Sequence, residues 1–163
     1  MAEKMLYVLA GYDPQTEEHL QNWQNDLYDE GFAGTQTRNI PQHITLGSFP
    51  VEEEQRLCAQ LKELAGKTMA FDVTFNHVGV FGGGKVLFIA PDVSHELLNL
   101  KENFGGSDGW TPHSTMLIDE PDIVLRALPV ILGKFAAFAG KVTQIHLYEF
   151  FPARHILTVQ LQK

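Results

Sequence analysis

The order of apolar and polar positions divides this chain into short segments of two kinds. Residues 4–10 contain the unbroken apolar run Met5-Leu6-Tyr7-Val8-Leu9-Ala10, closed by Gly11. That is the form of a strand covered on both faces. Asp13-Pro14 then opens a helix, with Pro in the first turn and Glu17-Glu18 near the positive end of the dipole. Leu20, Trp23 and Leu27 make one apolar stripe at spacings of three and four, and the helix is expected to stop before Gly31. Residues 33–42 hold Gly34, Arg38, Asn39 and Pro41 and read as a loop, and 43–49 read as a strand. Pro50 and the run Glu52-Glu53-Glu54 open a second helix with Leu57, Leu61 and Leu64 on its core face. The acidic run fits the first turn of that helix better than a metal site.

From residue 70 to 80 the period changes to two: Phe71, Val73 and Phe75 alternate with Asp72, Thr74 and Asn76. Gly82-Gly83-Gly84 reads as a hairpin turn into a strand at 85–90. No helix follows it directly, as a phosphate-cradling glycine loop requires. Ser94 starts a third helix with Leu97, Leu98 and Leu100 inward, and 105–110 is a glycine-rich loop. Residues 112–118 form a strand, and Pro121-Asp122 opens a fourth helix running to about Lys134. Two last strands, 141–151 and 155–162, meet at Phe151-Pro152-Ala153-Arg154. Some strands are joined by hairpins and others by helices, which predicts an α+β fold. The two halves match: each has a loop, a histidine-bearing strand, and a helix opened by proline and acidic residues. Residues 1–163 are therefore expected to form one domain with two related lobes.

Charge narrows the partners. With 12 Lys and Arg against 20 Asp and Glu, the chain carries a formal charge of −8. Long nucleic-acid tracks are gripped by basic faces that release counterions, so a small phosphorylated nucleotide or an RNA end is the better match. Protein partners leave no signature. Cys58 is the one cysteine, so no intrachain disulfide forms. The first apolar run lacks the flanks of a secretion signal and no stretch is long enough to span a membrane. A soluble cytoplasmic protein is expected.

The candidate chemistry lies in two matched strands, Pro41-Gln42-His43-Ile44-Thr45-Leu46 and Pro112-His113-Ser114-Thr115-Met116-Leu117. Residues i and i+2 of a strand point the same way, so His43 and Thr45 share one face, as do His113 and Thr115. On a helix each pair would diverge by about 200°. Two imidazoles flanking a substrate can divide acid and base work near neutral pH. Threonine hydroxyls and backbone N–H groups can hold phosphoryl oxygens as charge builds. No carboxylate interrupts either motif, so the zinc-hydrolase pattern is missing. The Gly-x-Ser-x-Gly setting of a serine nucleophile is missing too. No metal or other cofactor is expected.

These two motifs, their separation and the order of elements around them resemble the two-histidine (2H) phosphoesterase superfamily, whose members include 2′-5′ RNA ligase-like proteins and cyclic nucleotide phosphodiesterases. The resemblance implies a bilobal, pseudo-twofold arrangement of two antiparallel sheets around a central cleft, with helices outside. It implies His43 and His113 as catalytic residues and Thr45 and Thr115 as phosphate-binding groups. The reaction implied is metal-independent attack on a 2′,3′-cyclic phosphate or a 2′-5′-linked phosphodiester. Some members carry a basic residue just after the second motif; here Leu117-Ile118-Asp119 stands instead, which weighs against 2′-5′ RNA ligation.

Arg38, Arg154, His155 and Trp110 are further candidates for substrate binding. Phe81, Trp110, Tyr148 and Phe151 are candidates for stacking on a base, with core packing the default for each. His19 and His95 fall on helix surfaces, and His77 and His146 lack a partner motif. The same cleft could also serve a binding module that holds a nucleotide or RNA end without turnover.

Overall fold

A computed structural model of the chain describes residues 3–163. The elements run β1 (Met5–Tyr12), α1 (Pro14–Asp29), β2 (His43–Pro50), α2 (Glu54–Ala65), β3 (Phe71–Val80), β4 (Val86–Pro91), α3 (His95–Glu102), β5 (Ser114–Ile118), α4 (Pro121–Leu132), β6 (Phe138–Phe150) and β7 (Arg154–Gln160). The order and type of these elements are those read from the apolar pattern. Local chemistry sets the helix starts. The Asp13 carboxylate accepts from the Thr16 N–H at 3.0 Å with Pro14 behind it, and the Ser94 hydroxyl accepts from the Leu97 N–H at 3.2 Å.

All seven strands pair antiparallel in the order β2-β1-β6-β3-β4-β5, with β7 also on β6. The two sheets of the expected cleft are two arms of this one network, and β6 is their shared spine. One edge of β6 carries β1. Its other edge carries β3 over Phe138–Val142 and then β7 over Gln144–Glu149. One arm is therefore β2-β1-β6-β7, the other β3-β4-β5. The expected start of β6 at residue 141 misses Phe138, Ala139 and Gly140, three of the five β6 residues that join the arms.

Helices cover the outer face of the arms. Leu20, Trp23 and Leu27 of α1, Leu57, Leu61 and Leu64 of α2, and Val124, Ala127 and Ile131 of α4 pack with Leu6, Val8, Ala10 and Tyr12 of β1 in one core cluster. Leu98 of α3 is only half-buried, while Leu97 and Leu100 carry that helix's packing. Leu9 and Gly11 turn the other way, into the space between the arms. This is why β1 is apolar on both faces. Among the described residues no helix is long and apolar enough to cross a membrane.

Candidate active site

The terminal strands of the two arms, β2 and β5, come back together. The Ser114 hydroxyl donates to the His43 backbone carbonyl at 2.8 Å. That fixes its hydrogen, so the Tyr12 hydroxyl, 2.6 Å away, is the donor to Ser114. Both side chains are buried, and together they tie one His-x-Thr motif to the other. Ser114 occupies the inward position that Ile44 fills in the first motif. A hydroxyl at a core-facing strand position was the one sequence signal of this link.

Each motif alternates as the strand reading requires. His43 and Thr45 are half-buried and flank the fully buried Ile44; His113 and Thr115 are half-buried and flank the fully buried Ser114. The motifs also share a feature that the period of two does not contain. In the β1–β2 ladder, Val8 faces Gly47 while Leu9 faces Thr45, so Leu46 is an extra residue. In the β4–β5 ladder, Leu87 faces Leu117 while Phe88 faces Thr115, so Met116 is an extra residue. Both bulges fall directly after the threonine. A bulge re-aims the neighbouring side chains and frees backbone groups from the ladder, and the two bulged residues, Leu46 and Met116, are fully buried.

The histidines are held alike. His43 Nδ1 lies 2.7 Å from the Pro41 carbonyl, and His113 Nδ1 lies 2.8 Å from the Thr111 carbonyl. A carbonyl can only accept, so each Nδ1 carries hydrogen and each neutral ring keeps its lone pair on Nε2. Burial lowers the pKa of His43; the Pro41 carbonyl opposes this, and the charge of His113 adds to it. Burial likewise lowers His113, against the opposing bond to Thr111. His113 packs edge-on to Phe81, with ring centres 4.7 Å apart, and leans on Phe88 at 5.3 Å. Phe88 lies over Gly79, where a Cβ would stand 2.5 Å from the ring.

A cavity of about 260 Å³ opens between the arms, and His43, Thr45 and Thr115 line it together with Leu9, whereas His113, packed on Phe81 and Phe88, is not part of the lining. Its far wall is aromatic. Tyr7, Phe150 and Phe151 line it, Tyr148 stacks on Phe150 at 5.7 Å, and Phe151 is 57% exposed. Gln24, Gln36 and Gln42 supply carboxamides, and among the described residues no Lys or Arg side chain lines the cavity.

The remaining candidates are distributed around this space. Arg38 lies over the Tyr28 ring, 4.1 Å from its centre. It lines a separate polar hollow of about 280 Å³ that shares Gln24, Thr37 and Ile40 with the cavity. Trp110 donates from Nε1 to the Thr45 carbonyl at 3.3 Å, so it braces the first motif from behind rather than lining the cavity. Arg154 is the first residue of β7. Its guanidinium is taken up by Glu54 at 2.6 Å and Glu149 at 3.2 Å, outside the cavity lining. His155 is exposed, with Nε2 2.8 Å from the Thr158 hydroxyl. His19 and His95 are on helix surfaces, and His77 pairs with Asp92 at 3.5 Å. Among the described residues, no group of three or more His, Cys, Asp or Glu is placed to hold a metal ion.

His146 lacks a partner motif in the sequence, yet it is the most perturbed imidazole. It sits opposite Leu9 with Nδ1 2.8 Å from Thr158 and Nε2 unpartnered, and a Cβ on Gly11 would meet that nitrogen at 2.5 Å. Burial first, then the charges of His43 and His155, lower its pKa from 6.5 to about 4. As pH falls through this window the unfolded chain binds the proton before the folded one, so stability drops. His43 and His113, also lowered, act in the same direction. Thermal melts should be flat above pH 7 and fall steeply from pH 6.5 towards 4, and His146→Gln should make that fall shallower. An unchanged slope in the variant would remove His146 from the explanation.

Comparison with known proteins agrees with this fold. The family model described as the 2′-5′ RNA ligase superfamily matches residues 12–150. Among solved structures, Escherichia coli LigT complexed with ATP is 19% identical with a TM-score of 0.66, covering 99% of this chain and 100% of that one. A structure described as a phosphoesterase is 16% identical with a TM-score of 0.67, again over 99% and 100% of the two chains. LigT complexed with 3′-AMP is 16% identical with a TM-score of 0.65, over 98% and 99%. At these identities the likeness is one of fold. No curated protein sequence matches significantly.

Proposed function

The chain belongs to the 2′-5′ RNA ligase superfamily, and from that premise we propose that it is a phosphoesterase whose two His-x-Thr pairs open a 2′,3′-cyclic phosphate or a 2′-5′-linked phosphodiester without a metal ion. One observation carries the reading. The two motifs are built alike, each with a histidine fixed through Nδ1 to a carbonyl and a threonine set by a bulge, and Ser114 ties them together beside a cavity lined by His43, Thr45 and Thr115.

The mechanism follows from the free Nε2 atoms. One neutral imidazole takes a proton from water as the water oxygen attacks phosphorus. The bond from phosphorus to the ribose oxygen breaks, and the other ring, as imidazolium, gives that oxygen its proton. Each turnover leaves the base ring protonated and the acid ring neutral, and proton exchange with solvent, out of the first and into the second, resets the pair. The pair needs one proton in total. The repulsion between His43 and His113 disfavours two, and an anionic phosphodiester between them favours keeping one. Thr45 and Thr115 donate hydroxyl hydrogens to the non-bridging oxygens as their charge rises.

The rest of the cavity carries groups suited to a nucleoside. Tyr7, Phe150 and the exposed Phe151 offer a stacking wall for a base, in line with the bound ATP and 3′-AMP of the LigT structures. Arg38 in the adjoining hollow supplies positive charge for a second phosphoryl group. Hydrolysis is favoured over ligation because the cavity lining offers no Lys or Arg to hold a second strand end, and Leu117-Ile118-Asp119 follows the second motif.

The test presents 2′,3′-cyclic nucleotides and short 2′-5′ oligonucleotides to the purified protein in EDTA. Turnover is expected, and a requirement for added metal would contradict the reading, as would product-free tight binding. Phe151→Ala should raise KM about tenfold with kcat little changed, the loss of one stacked ring. Arg38→Gln should raise KM only for substrates with a second phosphate, and an equal effect on both substrate types would exclude that role.

A further inference from the structure

Between the two motifs runs a chain of carboxamides that the chemistry above does not use. Gln24 lies on α1 and is 8% exposed; Gln42, directly before His43, is 5% exposed. Gln24 Nε2 donates to the Met116 carbonyl at 3.0 Å, and Gln24 Oε1 accepts from Gln42 Nε2 at 2.8 Å. The orientation is forced. A backbone carbonyl cannot donate, so Gln24 must present its NH2 to Met116 and its oxygen to Gln42. Gln42 is anchored in turn: its backbone N–H donates to Glu17 at 2.8 Å, and its side chain also reaches Gln21 at 3.2 Å.

Met116 is the bulge residue after Thr115, so its carbonyl is the group the β4–β5 ladder leaves over. Gln24 is the stronger of its two donors. Gln36 Nε2 is the other at 3.4 Å, while Gln36 Oε1 accepts from the Ile118 N–H at 3.0 Å. We infer that Gln24 is a positioning residue: its side chain spans from Gln42, next to His43, to the bulge that aims Thr115, and helps set the separation of the two motifs.

This inference rests on the proposed phosphoesterase reaction. Gln24→Met keeps the length and volume of the side chain and removes both hydrogen bonds. The bulge carbonyl then loses its main partner and β5 can relax towards a regular ladder, turning Thr115 off the substrate. A displacement of the order of 1 Å at a reacting group costs about 10²-fold in rate.

The experiment is steady-state kinetics of Gln24→Met on a 2′,3′-cyclic nucleotide, with a parallel titration of inorganic phosphate followed at the Thr115 backbone amide by NMR. The expected result is a fall in kcat of about 10- to 100-fold with KM within about twofold, and a weakened phosphate response at Thr115. Gln24→Glu, which keeps the acceptor for Gln42 but loses the donor to Met116, should behave like Gln24→Met. A variant that melts lower but turns over at the wild-type rate per folded molecule overturns the inference, because a purely structural glutamine behaves that way. If neither Gln24 variant folds, Gln36→Met decides: it must show the same loss of kcat at constant KM, by a few-fold, or the inference fails. A wild-type protein that turns over no phosphodiester refutes the proposed function instead. The phosphate response at Thr115, present in wild type and weak in Gln24→Met, still judges the positioning role in that case.

Discussion

Replacing either His43 or His113 by alanine should lower kcat on a 2′,3′-cyclic nucleotide by about 10²–10⁴-fold, the value of one positioned proton-transfer group. Neither ring is a core element. Each is half-buried and makes one hydrogen bond, through Nδ1, to a carbonyl two residues earlier in the chain. Folding should therefore survive, with a somewhat larger loss of stability at His113, which also packs on Phe81 and Phe88. Removing both should cost little more than removing the more important one, because acid and base act in the same step and a broken pair has little left to lose. Kinetics of the two single variants and the double variant check this. A double variant that turns over at the wild-type rate would place the chemistry elsewhere.

Thr45→Val and Thr115→Val should each lower kcat by about 10²–10³-fold while KM stays near the wild-type value. Valine preserves the branched shape and strand preference of threonine and removes only the hydroxyl. Both side chains line the cavity, and the bulges beside them are held by Leu46 and Met116, which the substitutions leave in place. The hydroxyls matter most where charge develops on the phosphoryl oxygens, so the loss belongs in kcat. Matched losses in the two variants would reflect the matched construction of the motifs. A rise in KM at constant kcat would instead make the threonines ground-state contacts.

Much of this arrangement was legible in the sequence because it depends on local rules. A strand period of two puts His43 beside Thr45 and His113 beside Thr115 on half-buried positions, and the structure has them so. Asp13-Pro14 and Ser94 mark helix starts through chemistry confined to one turn. Features that depend on contacts between distant segments were not legible. Phe138-Ala139-Gly140 falls between the expected helix end near Lys134 and the expected strand start at 141, yet it pairs with β3 and helps join the two arms, with Gly140 set against Thr16 and Phe75 where a side chain has no room. The bulges after Thr45 and Thr115 lie inside runs whose alternation looks regular. Gln24 reads as an ordinary polar residue on a helix until α1 is laid against β5. Arg154 looked like free charge in a turn, and two carboxylates 5 and 100 positions away occupy it.

The most direct test is the pH dependence of kcat/KM on a 2′,3′-cyclic nucleotide, in EDTA, for wild type, His43→Ala and His113→Ala. The two-imidazole account predicts a bell for wild type, with one limb for the base and one for the acid. Each single variant should lose one limb and keep the other, and the two should lose opposite limbs. Loss of the same limb in both variants, or an intact bell in either, would contradict a division of acid and base work between His43 and His113.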